Sequence, residues 1–312
     1  MTRANLDVLI PWPDLAVRHG SWPDGLGVHV WDAVTPDSEP DQEVLDRIGL
    51  WVMPYGVGGA ERLLERLPAL RAVQSLSAGV ESLEPLLPAG VRLCNGRGLH
   101  DASTAELALG LILAAQRELP HWAAEQAAGR WAPHRTRSLA DSRVAVIGYG
   151  SIGSALATRL RACEAEVVPV ASRARPDEGV YAVSDLTALL PDIDVAVLVL
   201  PENAATVGLF GAKQLAALPD DALVVNVGRG RTLDTDALLA EVATGRLRAA
   251  LDVTDPEPLP AGHPLYTAPG VFITPHVGGG SAAFRPRAER LIVAQVRRWA
   301  AGEELLNPFP RG

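Results

Sequence analysis

The sequence predicts an α/β fold with two Rossmann-like, doubly wound parallel-sheet domains. Short apolar runs alternate with helical patterns along most of the 312 residues, and such alternation is typical of parallel sheets layered with helices. The alternation occurs twice, before and after a long apolar helical stretch near residues 101–118. A chain of this length is expected to form one large domain or two ordinary ones.

The first series of strands occupies the first third of the chain. Short apolar runs predict strands at 8–10, 28–31, 50–53, 72–76 and 91–94. Helices are predicted between some of them, at 42–48 and 61–67. The N-terminal residues lack the long apolar segment and small-residue cleavage site of a signal peptide, so they are interpreted as leading into the first strand.

A helical stretch at about 101–118 separates the two series. It is apolar on nearly every face, and such a helix must be covered all round. Two interpretations stay open, namely burial between domains or in a subunit interface, and burial in an ordinary core.

The second series is more regular. It begins with a strand at 143–147, a glycine-rich turn and a helix to about residue 162. Further strands are predicted at 166–171, 195–200, 223–227, 248–253 and 271–274. Six strands in this arrangement indicate a dinucleotide-binding sheet. A final amphipathic helix, at about 281–300, has no strand to precede, so we expect it to return to the first domain.

The glycine-rich turn has the sequence GYGSIG, follows a strand and opens a helix. That context makes a common pattern a dinucleotide-binding fingerprint. Gly148 allows the tight turn, Gly150 lets the backbone approach a pyrophosphate, and Gly153 permits close packing of helix on strand. The free N–H groups of the first helical turn, at Ser151 and Ile152, favour an anion there. The alternative interpretation is a purely structural turn.

The strand after this turn ends in residues that favour a phosphorylated ribose. An NAD site has Asp or Glu about 20 residues on, where it holds the ribose 2′-hydroxyl. Here the strand ends at Ala171, followed by Ser172, Arg173 and, close behind, Arg175. Two guanidinium groups and a hydroxyl suit a 2′-phosphate, so we expect NADP to be preferred, with NAD also usable. A solvated basic turn is the alternative.

Three polar motifs in the last hundred residues follow predicted strands. They place Arg229 in NVGRG, Glu257 in DVTDPEP and His276 in TPHVGG, at the strand ends where an open α/β sheet binds ligands. Arg can hold a carboxylate, His can exchange a proton with a carbonyl oxygen, and a carboxylate beside the imidazole fixes its tautomer. These residue types suit ketone reduction. Singly, each has an ordinary interpretation as a salt-bridging Arg, a structural His or a solvated Glu.

Together these motifs resemble the D-isomer-specific 2-hydroxyacid dehydrogenase family over nearly the whole chain. The segments that carry the resemblance are LSAGVESL (76–83), TAELALGLIL (104–113), GYGSIG (148–153), LPENAATVGLF (200–210), VVNVGRG (224–230), ALDVTDPEPLP (250–260) and TPHVGG (274–279). Within the family, ASRARP is similar to the NADP-preferring glyoxylate/hydroxypyruvate reductases. Glu257 argues against the formate dehydrogenase branch, which carries Gln at that place.

The resemblance implies a domain organisation and a set of site residues. A discontinuous, flavodoxin-like substrate domain would comprise 1–98 and 283–312, and a dinucleotide-binding Rossmann domain 99–282. The implied catalytic residues are Arg229, Glu257 and His276. The implied substrate contacts are Ser77, Ala78, Gly79, Arg229 and His276. The implied cofactor contacts are Gly148, Gly150, Ser151, Ile152, Gly153, Ser172, Arg173, Arg175, Leu200, Pro201, Thr206, Val227, Asp252 and Gly278.

In this family the backbone N–H groups of Ala78 and Gly79 would bind the substrate carboxylate, and Asp252 would hold the nicotinamide carboxamide. The chain also departs from the family pattern. Cys163-Glu164 replaces the usual Phe-Gly, so Glu164 either adopts a left-handed conformation, at a cost of about 1 kcal/mol, or the helix ends differently. Val199 and Asn203 replace a frequent His and Thr near the cofactor.

Composition limits the partners and the compartment. The net charge is −9 and there is no basic tract, which disfavours nucleic acid. The longest dense apolar stretch, 107–115, is about half the length of a membrane span. Cys94 and Cys163 lack metal-ligand spacing, so we expect no metal site and a cytoplasmic protein. The resemblance implies a homodimer that acts on a small 2-keto or 2-hydroxy acid.

Two other functions stay open on the sequence alone. A phosphite-type dehydrogenase would use the same Arg, Glu and His. A nicotinamide-sensing binding protein, like the corepressors that share this fold, could retain all three residues without turnover.

Overall fold

In the computed structural model, which describes residues 7–310, the chain divides into two compact units. One comprises the chain up to Leu99 together with Ala282 onward, and the other comprises His100–Ser281. The predicted domain boundaries differ from these by one residue. Residues 1–6 and 311–312, which the prediction included in the substrate domain, lie outside the described residues. In the described part of the chain, no helix has the length and apolarity needed to cross a membrane.

The first unit contains a parallel sheet of five strands, as far as residues 7–310 show, in the order β2-β1-β3-β4-β5. The strands are β1 (Asp7–Ile10), β2 (Val28–Val30), β3 (Ile48–Val52), β4 (Ala72–Gln74) and β5 (Arg92–Cys94). The helices are α1 (Leu15–His19), α2 (Gln42–Leu45) and the 3₁₀ segments Ala60–Arg66 and Glu84–Leu86. This strand order is the flavodoxin-like one.

Two helices predicted in this unit were wrong in extent or kind. The predicted helix 42–48 ends at Leu45 because Ile48 already pairs with Asp7 as the first residue of β3. The segment predicted as a helix at 61–67 is the 3₁₀ segment Ala60–Arg66. Its leucines Leu63 and Leu64 are buried in the core. The apolar pattern therefore predicted which residues are buried but not the type of helix.

The second unit contains a parallel sheet of seven described strands, in the order β12-β11-β10-β9-β6-β7-β8. Its strands are β6 (Arg143–Ile147), β7 (Glu166–Ala171), β8 (Tyr181–Ala182), β9 (Val195–Leu198), β10 (Leu223–Asn226), β11 (Arg248–Leu251) and β12 (Val271–Ile273). Its helices are α3 (Asp101–Gln116), α4 (Leu119–Ala127), α5 (Ser151–Ala162), α6 (Leu186–Leu189), α7 (Ala212–Ala217) and α8 (Thr235–Ala243). Its 3₁₀ segments are Pro176–Glu178, Val183–Asp185, Leu190–Asp192, Gly230–Thr232 and Pro264–Tyr266.

The prediction of six strands missed β8. This strand is only two residues long and pairs at the edge with Val170 and Ala171 of β7, so no apolar run marks it. The six predicted strands are present and form a dinucleotide-binding arrangement, because the strand order reverses between β6 and β9.

The helix predicted at 101–118 is interrupted. It ends at Gln116, Glu118 adopts a left-handed φ of 53°, and α4 begins at Leu119. Within α3, Ala105, Ala108, Leu111 and Ile112 are buried, whereas Leu107, Leu109 and Leu113 are only half-buried. The rest of the chain therefore covers only part of the surface of α3.

The C-terminal helix, α9, spans Phe284–Ala301 and belongs to the first unit. It starts three residues later than predicted. One face carries Leu291, Ile292, Val296 and Trp299, which pack in one cluster with Val8, Leu50 and Ala72 of the sheet. The apolar stripe of the helix therefore completes the core of the unit in which the chain begins.

The end of α5 resolves the two alternatives for Glu164. Cys163 caps the helix, and Glu164 adopts a left-handed φ of 63° while its N–H group donates to the carbonyl of Arg161 at 3.0 Å. The side chain is exposed, so its Cβ is held in an unfavourable backbone conformation without compensating contacts from burial.

Replacing Glu164 with Gly is expected to stabilise the protein by about 1 kcal/mol, because glycine adopts this conformation without steric strain. The free energy of unfolding from urea titration measures the gain. Glu164→Ala is the matched control, since it removes the same charge but keeps a Cβ, and it should bring no such gain. Equal free energies of unfolding for the Gly and Ala variants would show that the backbone at Glu164 is not strained.

Candidate functional site

The strand order of the second unit sets where its polar motifs meet. The carboxyl ends of β6, β9, β10, β11 and β12 lie at one edge of the parallel sheet. The crevice beside the reversal between β6 and β9 is where such sheets bind ligands. The glycine-rich turn and the three motifs with Arg229, Glu257 and His276 all follow these strands.

The three fingerprint glycines differ in what surrounds them. A Cβ at Gly148, whose φ is 106°, would lie 2.3 Å from the carbonyl oxygen of Val199. A Cβ at Gly153 would lie 2.4 Å from the carbonyl oxygen of Gly148. At Gly150, by contrast, no described atom beyond its two chain neighbours lies within 4 Å of that position. Two glycines thus allow close packing, and the third leaves the turn open to a ligand.

The turn therefore fits a dinucleotide. It opens α5 at Ser151, and the first N–H groups of a helix have no acceptor inside it. Such groups, together with the helix dipole, favour a pyrophosphate. The Ser151 hydroxyl donates to the Asp101 carboxylate at 3.1 Å, a contact that the sequence did not predict.

The segment after β7 places its two arginines in different environments. Arg175 pairs with Glu178 at 2.9 Å and donates to the carbonyl of Tyr149, in the glycine-rich turn, at 3.2 Å. Arg173 is exposed, and within residues 7–310 it forms no ion pair. The sequence reasoning missed Glu178, although its spacing of three residues from Arg175 is a recognisable signal.

The backbone of Arg229 is fixed by neighbouring polar side chains. Asn226 is fully buried and donates through Nδ2 to the Arg229 carbonyl at 3.0 Å, while its Oδ1 accepts the N–H of Gly228 at 3.0 Å. The Thr232 hydroxyl donates to the same Arg229 carbonyl at 2.7 Å. A Cβ at Gly230 would lie 1.9 Å from the carbonyl oxygen of Thr254, so only glycine permits this approach.

The loop that carries His276 is organised by Asp252. This side chain is 2% exposed. Its Oδ1 accepts the Thr274 hydroxyl at 2.6 Å and the Val277 N–H at 2.9 Å, and its Oδ2 accepts the Gly278 N–H at 2.8 Å. A carboxylate oxygen has two acceptor sites, so Oδ2 can accept one further bond. The contact to a nicotinamide carboxamide stays a prediction.

His276 forms a hydrogen bond through Nδ1 with Oε1 of Glu257. The side chains of both residues are partly exposed, at 47% and 40%. The backbone of His276 has a left-handed φ of 50°, and its N–H donates to the carbonyl of Asp252 at 2.8 Å. Non-glycine residues in this conformation concentrate at functional sites. With Nδ1 held by Glu257, Nε2 is the nitrogen available to a ligand.

The remaining predicted cofactor contacts follow β9 and β10. The Thr206 hydroxyl donates to the carbonyl of Pro201 at 2.7 Å and accepts the Asn203 N–H at 2.9 Å. Val227 is buried, and its N–H donates to the carbonyl of Leu198 at 3.1 Å. These bonds hold the loop after β9, which begins with the half-buried Val199 and Leu200.

The predicted carboxylate-binding segment lies in the first unit, after β4. The carbonyl of Ser77 accepts the N–H of Gly96 at 2.7 Å, and that of Ala78 accepts Nδ2 of Asn95 at 3.0 Å. The N–H groups of Ala78 and Gly79 have no acceptor in the described part of the chain. They are therefore available to an anion.

Comparison with known proteins gives one consistent result. The family model described as D-isomer specific 2-hydroxyacid dehydrogenase, NAD binding domain, matches residues 109–278. A glyoxylate/hydroxypyruvate reductase B of Yersinia pestis (strain Pestoides F) is 30% identical over 303 residues, covering 90% of this chain and 91% of that protein.

Two solved structures resemble the chain over almost its whole length. A D-isomer specific 2-hydroxyacid dehydrogenase from Xanthobacter autotrophicus Py2, in complex with NADPH and MES, has a TM-score of 0.79 and 29% identity, covering 99% of this chain and 98% of that one. A family protein from Aeromonas salmonicida subsp. salmonicida A449 has a TM-score of 0.84 and 27% identity, covering 98% and 99%.

Proposed function

Because the chain belongs to the D-isomer specific 2-hydroxyacid dehydrogenases, NAD(P)-dependent oxidoreductases that act on CH–OH groups, we propose that it reduces a small 2-keto acid of the glyoxylate/hydroxypyruvate type. The reverse oxidation uses the same residues. The observation that carries this proposal is the hydrogen-bonded pair of His276 and Glu257, at the same sheet edge as Arg229. The similarity to a glyoxylate/hydroxypyruvate reductase supports the substrate type.

The nicotinamide, when bound, supplies the hydride for reduction or accepts it in the reverse direction. In reduction, His276 gives the proton on Nε2 to the carbonyl oxygen, which becomes the hydroxyl of the product. Glu257 accepts the Nδ1–H of the imidazole and so keeps Nε2 as the nitrogen that exchanges the proton. Arg229 orients the carboxylate and keto group through its fork of N–H donors.

The N–H groups of Ala78 and Gly79 are proposed to bind the substrate carboxylate. Hydrogen bonds from N–H groups to a charged acceptor contribute more than bonds between neutral groups. The geometry of this segment supports the proposal, because the carbonyls of Ser77 and Ala78 already accept hydrogen bonds from Gly96 and Asn95.

We propose that the protein prefers NADP to NAD, with NAD also usable. Ser172 and Arg173 follow β7 directly, both exposed, and their hydroxyl and guanidinium group suit a 2′-phosphate. The guanidinium group of Arg175 is already paired with Glu178, so we propose Arg173 as the main determinant of the cofactor preference. The related structure from Xanthobacter, which was solved with NADPH, supports this choice.

We propose further that the protein is a homodimer. The half-buried leucines of α3 lie in the same unit as Trp131, whose side chain is 93% exposed in the loop after α4. Contiguous exposed apolar patches mark association surfaces, and we propose that these side chains belong to such a patch. A second copy of the chain would cover them.

The reaction is tested first on the wild-type protein, which is expected to reduce glyoxylate or hydroxypyruvate with NADPH and to leave phosphite unoxidised. His276→Ala should then lower kcat by about 10²–10⁴-fold, because general acid catalysis is lost. Glu257→Gln should lower it less, since the imidazole keeps a neutral partner.

Glu303→Gln is the matched control, because Glu303 is likewise an exposed carboxylate in an ion pair, here with Arg298 at 3.3 Å. It should leave kcat unchanged. A near-normal rate in both His276→Ala and Glu257→Gln would remove the pair from the mechanism, and turnover of phosphite alone would replace the proposed substrate.

Cofactor preference is tested with Arg173→Ala. The variant should lose about tenfold in kcat/KM for NADPH, the effect of one guanidinium–phosphate contact reduced by solvent exposure. The value for NADH should hardly change. Arg290→Ala, which removes an exposed arginine of α9, should affect neither. Better use of NADH than NADPH by the wild-type protein would contradict the proposal.

Assembly is tested by sedimentation velocity at micromolar concentration, where the wild-type chain is expected to sediment as a dimer. Trp131→Arg should shift the distribution towards monomer, because a charged group cannot be buried without a partner. Val17→Arg is the control, since Val17 is also exposed, at 88%, but lies in the first unit. A wild-type monomer would refute the dimer.

A further inference from the structure

We infer that Asn95 is a positioning residue for the substrate carboxylate, acting by setting the direction of the Gly79 N–H group. A buried pair of glutamines, Gln74 and Gln295, holds Asn95 in place. The inference rests on the proposed function, because it takes the N–H groups of Ala78 and Gly79 as the carboxylate site.

The planarity of the peptide bond carries the argument. In a trans peptide, the C=O of one residue and the N–H of the next are fixed in one plane and point in opposite directions. The carbonyl of Ala78 accepts Nδ2 of Asn95 at 3.0 Å, so Asn95 also sets the direction of the Gly79 N–H. The carbonyl of Ser77 accepts the Gly96 N–H at 2.7 Å, which sets the direction of the Ala78 N–H in the same way.

The close approach of Asn95 and Gly96 to this segment depends on their position in the chain. They directly follow β5, the strand beside β4. A Cβ at Gly96 would lie 2.5 Å from the carbonyl oxygen of Leu76. The two loops therefore pack at backbone distance, and their carbonyl and amide groups have little freedom to rotate.

Hydrogen bonds hold both the backbone and the side-chain amide of Asn95. Its N–H donates to the Asn307 carbonyl at 3.1 Å, and its carbonyl accepts Nε2 of Gln74 at 2.9 Å. Its side-chain Oδ1 accepts the Arg97 N–H at 3.2 Å. Because the amide oxygen is engaged in this way, Nδ2 is the atom that faces Ala78, and the amide cannot flip without losing both bonds.

The glutamine pair beneath it is fully buried and fully satisfied. Nε2 of Gln74 donates to the carbonyls of Ser75, at 2.7 Å, and Asn95, and its Oε1 accepts Nε2 of Gln295. Gln295 also donates to the Leu306 carbonyl at 2.9 Å and accepts the Leu306 N–H at 2.8 Å.

Both glutamines are 0% exposed, in the apolar layer between α9 and the sheet. A buried polar pair is costly unless each donor and acceptor is engaged, and it then enforces a single arrangement. The pair therefore gives the loop after β4 one geometry, fixed by α9 and the segment that follows it.

The consequence concerns binding more than chemistry. A carboxylate is held by N–H groups in both the ground state and the transition state, so a weakened site raises KM more than it lowers kcat. A purely structural residue would instead change the folded fraction, and with it the apparent kcat at unchanged KM.

The test is Asn95→Ala, measured with the 2-keto acid that the wild-type protein turns over. KM should rise about ten- to hundredfold, as for the loss of one hydrogen bond to a charged group, while kcat stays within a few-fold. The dissociation constant of oxamate, an unreactive carboxylate analogue, should rise by a similar factor in calorimetry on the NADPH-saturated protein. The dissociation constant of NADPH should stay unchanged.

Asn95→Asp covers the case in which the alanine variant folds poorly. It preserves the size of the side chain but replaces the Nδ2 donor by an acceptor, so KM should rise at least as much. Gln42→Ala is the matched control, because Gln42 also donates its amide to a backbone carbonyl, that of Arg66 at 3.1 Å, in the same unit. Its KM should stay at the wild-type value.

Wild-type KM and oxamate affinity in a folded Asn95→Ala or Asn95→Asp protein would overturn the inference. An equal rise in Gln42→Ala would also overturn it, by showing general loosening of the unit. Failure of the proposed function looks different, because the wild-type protein itself would then turn over no 2-keto acid.

Discussion

The buried carboxylate of Asp252 is the interaction on which the arrangement of the second unit's site depends. It accepts two backbone N–H groups and one hydroxyl of the loop after β12, and buried charge of this kind is tolerated only when it is so engaged. These bonds hold His276 in its left-handed conformation. The buried Asp252 side chain therefore supports the contact of His276 with Glu257, which comes from the loop after β11.

A buried polar side chain that holds a loop occurs at the carboxyl ends of three strands. Gln74 is the last residue of β4, Asn226 the last of β10, and Asp252 directly follows β11. Each side chain is buried and bonds backbone groups of a loop at the carboxyl end of its sheet. These side chains supply hydrogen bonds to loop backbone groups, which have no neighbouring strand to bond. The loops bonded in this way are thus held partly by side chains at the ends of the strands.

Much of this could be predicted from the sequence, because the signals are local. The alternation of apolar runs predicted both sheets, and the spacing of the glycines predicted the turn before α5 with the correct strand and helix on either side. Arg229, Glu257 and His276 could be proposed as site residues because each lies in a short motif after a strand. What could not be predicted depends on non-local contacts or on very short elements. Nothing in the sequence marks β8, and no spacing connects Asn95 with Ala78 or Gln74 with Gln295, which are 221 positions apart.

The contact of Arg175 with the Tyr149 carbonyl has a consequence for protein engineering. It joins the segment that follows β7 to the glycine-rich turn at 3.2 Å, so these two parts of the unit are not independent modules. A chimera that exchanges 172–178 as a block would also remove a support of the turn. Loss of activity in such a chimera would report a displaced turn rather than a failed change of cofactor. Redesign of this segment should therefore retain an arginine at 175, or transplant the turn along with it.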